Sequence, residues 1–331
     1  MAEPAAAPYQ SLTPDVLLDA VDRAGWRTSG ELLALNSYEN RVYQIGVEDG
    51  APLVAKFYRP GRWSDAAIIE EHAFATELAE LDIPVVAPLA DQAGRTLLSG
   101  GEFRFALFPR RGGRAPELDS ATNLEWLGRF IGRIHAAGRA QPFRHRSAID
   151  VDALGVPARN AVLASGFLPA ELVPRYTEIA DAILAGARRA FARAGGYRPL
   201  RLHGDCHPGN ILWTDAGPHF VDFDDAANGP AVQDLWMLLS GDRGEMTAQL
   251  SAILEGYRQF ADFNGGELHL LEALRALRIM HYAAWIARRW DDPAFPHSFP
   301  WFNTPRYWED HIQSLREQIP AMDEPPLELG P

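Results

Sequence analysis

Apolar residues recur along the chain at two different spacings, and the change from one to the other divides it. Residues 14–25 place Val16, Leu17, Leu18, Ala20 and Val21 behind Thr13 and Pro14, which predicts a capped amphipathic helix ending near Gly25. From Gly30 to Tyr58 the spacing shortens to alternating and β-branched runs. Arg41–Ile45 and Pro52–Tyr58, separated by the turn Glu48-Asp49-Gly50, predict a hairpin with Lys56 late in its second strand. Residues 64–81 return to helical spacing through Ile68, Phe74, Leu78 and Leu81, with Ser64 as N-cap. Val85–Leu89 and Phe103–Phe108 read as further strands. The pattern lapses over Pro-Arg-Arg-Gly-Gly-Arg at 109–114, and the domain boundary is placed there, giving an N-lobe of 1–108 and a C-lobe of 109–331.

Beyond the boundary the pattern is helical. Residues 120–139 set Leu124, Leu127, Phe130, Ile131 and Ile134 on one face, and further helices are predicted near 171–194, 230–239, 245–262 and 267–290. The tail from Asp291 is rich in proline and aromatic residues. The fold class expected is α+β and bilobal, with a small β-rich N-lobe and a larger, mainly helical C-lobe.

Composition narrows the function classes. The chain of 331 residues carries 44 acidic against 31 basic residues, a formal net charge of −13, which disfavours nucleic acid as a partner. A single cysteine, Cys206, excludes an intrachain disulfide framework and a multi-thiolate zinc site. The first residues lack the pattern of a secretory leader, and no apolar run approaches the roughly 18 residues that span a bilayer. A cytoplasmic protein with no membrane partner, monomeric, is expected. The basic residues comprise 30 Arg and one Lys, so Lys56 stands where arginine has not replaced it.

The polar residues of the second half concentrate in one stretch. Within Leu200–Trp213 and His219–Asp225 two short apolar strands are predicted around a turn at 215–217, each flanked by polar residues unsuited to a core, among them Asp205, Asn210 five residues later and Asp222 twelve beyond that. Phosphoryl transfer needs such a set: a carboxylate to orient an acceptor hydroxyl and take its proton, and an amide oxygen and second carboxylate as hard ligands for Mg2+ on nucleotide phosphates. Each residue alone is most simply a turn or cap residue. Together with an upstream strand lysine followed by an acidic helix, they reproduce the order of parts of a kinase.

The stretch His203-Gly-Asp205 with Asn210 resembles the catalytic loop of the aminoglycoside phosphotransferase and choline kinase branch of the protein-kinase-like fold. Asn36–Gln44, Lys56–Pro60, Leu202–His207, Asp224–Ala226, Asn228–Pro230, Gln233–Leu239 and Asp292–Pro296 further resemble the bacterial stress response kinases over nearly the whole chain. That resemblance implies a Ser/Thr protein kinase acting in stress, with ATP as co-substrate and proteins bearing Ser or Thr as acceptors. It implies Asp205 as catalytic base, Asn210 and Asp222 as Mg2+ ligands, Lys56 as the lysine on the α and β phosphates, and Ser37 as a nucleotide-contacting serine. Glu70 and Glu71 are both candidate partners of Lys56, and Glu71 is preferred because it precedes Leu78 by seven residues. The GxGxxG of protein kinases is absent. Backbone amides of Asn-Ser-Tyr-Glu-Asn-Arg, the Ser37 hydroxyl and Asn40 must replace it.

Other assignments follow from the same pattern. Phe108–Gly112 is expected as an adenine-binding hinge, His203 as a scaffold for the loop, Asp234 as a helix cap or first-turn acid, and Cys206 as a packing residue. Asp224 and Asp225 are open between extra ligands and solvated turn residues. No Ser, Thr or Tyr lies between Asp222 and Leu239, so a phosphorylation-switched activation loop is not expected. A small-molecule hydroxyl kinase, whose pocket Trp285, Trp290, Trp301 and Trp308 would wall, and an inactive nucleotide-binding partner module are the alternative readings. Alanine at Asp205, Asp222 or Lys56 is expected to abolish turnover and leave the melting temperature near that of the wild type.

Overall fold

The computed structural model describes residues 8–329, so the sequence reading of the first seven residues lies outside what is described. The described chain divides into two compact units, residues 8–115 with 209–224 and residues 116–208 with 225–329. In the first unit, helix α1 (Pro14–Arg23) starts on Thr13, whose hydroxyl accepts from Val16 N, with Pro14 at its first position. Strands β1 (Thr28–Ala34), β2 (Arg41–Val47) and β3 (Leu53–Phe57), helix α2 (Asp65–Glu80), then β4 (Leu98–Gly100) and β5 (Phe103–Pro109) complete this part. The five strands form an antiparallel sheet in the order β1-β2-β3-β5-β4.

Alternation along the strands positions the lysine. Leu53, Ala55 and Phe57 of β3, with Phe103, Phe105 and Leu107 of β5, face a core completed by Leu17, Ala20 and Val21 of α1. The intervening Ala106 faces the other way, onto Tyr58 and Ile68 of α2. Lys56, opposite Val42 on one side and Ala106 on the other, shares that second face. α2 buries Ile68, Glu71, His72, Phe74, Ala75 and Leu78 at helical spacing. Leu81, expected on the same stripe, is the exposed C-cap, because the helix ends one residue before it.

Val85–Leu89, read as a strand, contributes a single bridge from Val85 to Phe220, since Pro84 and Pro88 remove ladder donors around it. The second unit opens with α3 (Ala121–Gly138), α4 (Val156–Ala164), α5 (Val173–Arg193) and β6 (Leu200–Leu202). The chain then returns to the first unit as the hairpin β7 (Ile211–Thr214) and β8 (Gly217–Phe220). Phe220 N donates to Pro84 O and Phe220 O accepts from Val86 N, while Arg114 and Trp213 exchange both backbone bonds. These bonds group 209–224 with the first unit.

β9 (Ala227–Gly229) pairs antiparallel with β6, and α6 (Gln233–Trp236), α7 (Arg243–Tyr257), α8 (Leu271–Ala287), α9 (Ala294–Ser298) and α10 (Pro305–Ala321) follow. α3 and α7 approach through Gly128, Gly132 and Gly256, where an added Cβ would strike the facing backbone. The segment expected as a helix over 230–239 is α-helical over Gln233–Trp236, with tighter turns on either side in which Gln233 N donates to Pro230 O and Leu239 N to Trp236 O. The aromatic tail contains α10, capped by Thr304 on Tyr307 N and packed on α5 and α8.

On α10, His311 lies with its ring stacked on Tyr176 of α5 and on Tyr307, and burial lowers its pKa to about 4 from 6.5. Between those two pH values the unfolded chain binds a proton that the folded chain refuses. The contribution of His311 to stability is therefore complete above pH 6.5 and is lost as pH falls toward 4, by up to about 3 kcal/mol. Urea unfolding of the wild type and His311→Phe at pH 7 and pH 4.5 should show a shallower pH dependence in the variant.

Candidate active site

In the first unit the functional side chains gather around one buried ammonium. Lys56 Nζ lies 2.9 Å from Asp222 Oδ1, 3.1 Å from Asp224 Oδ1 and 3.8 Å from Glu71 Oε1, and 5.3 Å above the Tyr58 ring. Burial by itself would lower the pKa of Lys56, but Asp222, Asp224 and Glu71 outweigh it and hold the ammonium well above its ordinary value. Of the two glutamates weighed from the sequence, Glu71 is the one on the face of α2 toward Lys56. The Tyr58 hydroxyl meets His72 Nε2 at 2.7 Å and His72 Nδ1 meets Thr96 Oγ1 at 2.9 Å, fixing the strand end and the helix together.

The hairpin supplies the remaining acids. Val221 N donates to Asn210 O at 3.0 Å, which sets Asn210 across from the residue preceding Asp222. Asp222 itself is left-handed, with φ 63°, a conformation that costs a non-glycine residue roughly 1 to 2 kcal/mol and that aspartate tolerates better than most. Its side chain is 53% exposed, whereas that of Asp224 is 5% exposed. Asp224 is thus no solvated turn residue: it pairs with Lys56 and Arg62 and accepts from Asn40 Nδ2 at 3.1 Å.

The loop that replaces the glycine-rich segment is tied down by its own side chains. Asn40 Oδ1 accepts from Arg59 N at 3.1 Å, the Ser37 hydroxyl donates to Asn40 O at 3.1 Å, and Glu39 pairs with Arg59 at 3.2 Å and with Arg62 at 3.7 Å. Asn40, read from the sequence as a phosphate contact, here joins the loop to Asp224 and to the end of β3.

Asn210 and Asp222 offer an amide and a carboxylate, hard oxygen donors that suit Mg2+. Among the described residues no group of three or more His, Cys, Asp or Glu is arranged to hold a metal ion. The fit is nevertheless good, because Mg2+ bound through one or two protein ligands completes its shell with water and substrate phosphates.

In the second unit the loop after β6 is anchored by one buried acid. Asp234, on the first turn of α6, accepts from His203 N and Gly204 N at 2.8 Å each, and His135 Nε2 of α3 lies 3.1 Å from it. Tyr257 OH holds the other ring nitrogen of His135 at 2.9 Å. Burial opposes the charge on Asp234, yet the bond from His135, the charges of His135 and His203 and the Gly204 amide keep its pKa below the ordinary value. Gly204 has φ +85°, and a Cβ there would strike Asp225 O. Asp234 therefore does more than cap a helix. It fixes the backbone from which Asp205 projects.

Asp205 carries Arg278 Nη1 at 2.5 Å and His207 Nε2 at 3.5 Å. Cys206 beside it is buried, and burial, with Asp234 and Asp205 adding to it, pushes its thiol well above the ordinary value; the reactive thiolate is thereby suppressed. Arg62, Arg278 and His135 were missed by sequence reasoning, since each lies on an element with no local motif.

Residues 31–295 match the phosphotransferase enzyme family. The chain belongs to this family. Among relatives in the phosphotransferase family, stress response kinase A of Escherichia coli (strain K12) is 46% identical over 323 residues, covering 98% of this chain and 97% of that one. Serine/threonine protein kinase RdoA of Salmonella typhimurium (strain LT2) is 44% identical with the same coverage. A solved structure of amicoumacin kinase hAmiN in complex with AMP-PNP, Ca2+ and Ami superposes with a TM-score of 0.69 at 17% identity, covering 94% of both chains, a likeness of fold. This phosphotransferase, like its family, transfers a phosphoryl group to a hydroxyl acceptor. No helix among the described residues is long and apolar enough to cross a membrane.

The burial of Lys56 revises the expectation that removing it leaves the melt unchanged. Lys56→Ala removes the ammonium between Glu71 and Asp224, each 3% exposed, while Asp224 keeps Arg62, and should cost up to about 3 to 5 kcal/mol. Asp222→Ala, at a half-exposed but left-handed position, should unfold within about 2 kcal/mol of the wild type. Urea denaturation of the two variants beside the wild type checks both.

Proposed function

We propose that the chain is an ATP-dependent Ser/Thr protein kinase acting in a bacterial stress response. The observation that carries the reading of a nucleotide site is Lys56, buried between Glu71 and the acids of the Asn210–Asp224 hairpin. The protein acceptor is supported by likeness over nearly the full length to stress response kinase A and to serine/threonine protein kinase RdoA.

In this reading Lys56 exchanges part of its carboxylate contact for the α and β phosphates of ATP, while Glu71 keeps it aimed. Asn210 and Asp222 hold the divalent ion, Mg2+, which when bound neutralises charge on the transferring phosphates. Ser37 and the backbone of its loop cover the phosphates. Asp205 aligns the acceptor hydroxyl for in-line attack: the hydroxyl oxygen bonds to the γ-phosphorus, the bond to the β–γ bridging oxygen breaks with its electron pair leaving on ADP, and the hydroxyl proton passes to the Asp205 carboxylate. Catalysis is then chiefly positioning and electrostatics. With no Ser, Thr or Tyr between Asp222 and Leu239, the kinase is assembled without a phosphorylation switch, and control rests on abundance and acceptor supply.

The acceptor class is tested by incubating the wild type and Asp205→Ala with Mg2+ and ATP, once with dialysed bacterial lysate and once with its small-molecule filtrate, and following phosphate by mass spectrometry. Phosphate on Ser or Thr of proteins, with the wild type alone, is the expected result. Phosphate confined to the filtrate would make the enzyme a small-molecule kinase, as amicoumacin kinase is by name, and none in either would leave a binding module.

A further inference from the structure

His203 N and Gly204 N donate to Asp234, and Gln233 Nε2 donates to Gly204 O at 2.8 Å, which fixes the backbone of the catalytic loop. A carboxylate on that backbone still turns about two side-chain torsions, and an acid that must line up a hydroxyl needs one oxygen held and the other presented. α8 supplies the holding group. Arg278 Nη1 donates to Asp205 Oδ1 at 2.5 Å, while Oδ2 faces His207 Nε2 at the longer distance of 3.5 Å.

Three features of this contact bear on its role. α8 is a buried helix, with Leu274, Leu277 and Met280 around Arg278 each no more than 2% exposed, so the origin of the side chain is rigid. The pair itself is partly in water, the Arg278 side chain 44% exposed and that of Asp205 20%, so it contributes little to folding. Finally, the guanidinium approaches a single oxygen of Asp205.

We infer that Arg278 is a positioning residue for the proposed base, clamping Asp205 Oδ1 so that Oδ2 is the oxygen offered to the acceptor hydroxyl. The inference rests on Asp205 being the base. A guanidinium is suited to this because its planar donors keep their direction, whereas an ammonium retains the charge and loses the geometry.

The test compares the wild type, Arg278→Gln, Arg278→Lys, Asp205→Asn and the double variant Asp205→Asn/Arg278→Gln. Initial rates of phosphate transfer to the fraction of lysate that accepts phosphate, the KM for ATP and the melting temperature are measured for each. Arg278→Gln should melt as the wild type does and keep its KM for ATP, but lose about 10- to 100-fold in kcat. Arg278→Lys should recover part of that loss. The double variant should be no slower than Asp205→Asn, because the clamp has nothing left to orient. Wild-type kcat in Arg278→Gln, or a further loss in the double variant, would overturn the inference while leaving the base in place. Wild-type turnover in Asp205→Asn, or no transfer by the wild type, would remove the base and the inference with it.

Discussion

One positive charge taken out of water organises the first unit. An ammonium as buried as Lys56 survives as a cation only if carboxylates surround it, and they must come from separate parts of the chain. Glu71 comes from α2, and Asp222 and Asp224 come from the hairpin that returns to this unit after β6. The sheet places Lys56 by alternation, Phe74 packs on Phe223 beside the acids, and bonds at Pro84, Val86 and Arg114 pin the hairpin. Arg62 shares Asp224 with that ammonium, so the charges form a network and not a single pair.

The second unit solves a different problem with a similar device. The turn after β6 exposes the backbone N–H groups of His203 and Gly204 inside protein, and Asp234 takes both, itself held by His135 and Tyr257. The geometry of Asp205 is therefore a consequence of helices α3, α6 and α7 at its back. From α8, Arg278 adds a contact to the Asp205 carboxylate.

Much of this was legible from residue pattern. Alternation around Lys56 located the strand, and the spacing of Asp205, Asn210 and Asp222 located the loop and hairpin. The preference for Glu71 agrees with the burial of that face of α2. What escaped were features decided by distant contacts. Asp224 stayed open between an extra ligand and a turn acid because nothing local reveals Arg62 or Asn40 beside it. Asp234 looked like a cap because its amide partners lie 30 and 31 residues away. Val85–Leu89 looked like a strand on apolar content alone, although Pro84 and Pro88 bracket it. The tail looked irregular because aromatic residues and prolines masked a helix that Thr304-Pro305 and the spacing of Trp308, Ile312 and Leu315 announce.

The central claim is that the Lys56 cluster and the Asn210–Asp222 hairpin hold a nucleotide through its phosphates and a divalent ion. Calorimetric titration of ATP into the wild type and Asp222→Ala, each with and without Mg2+, addresses this directly. The account predicts that Mg2+ strengthens ATP binding to the wild type and that Asp222→Ala loses that gain while staying folded. An equal gain from Mg2+ in both proteins would contradict it.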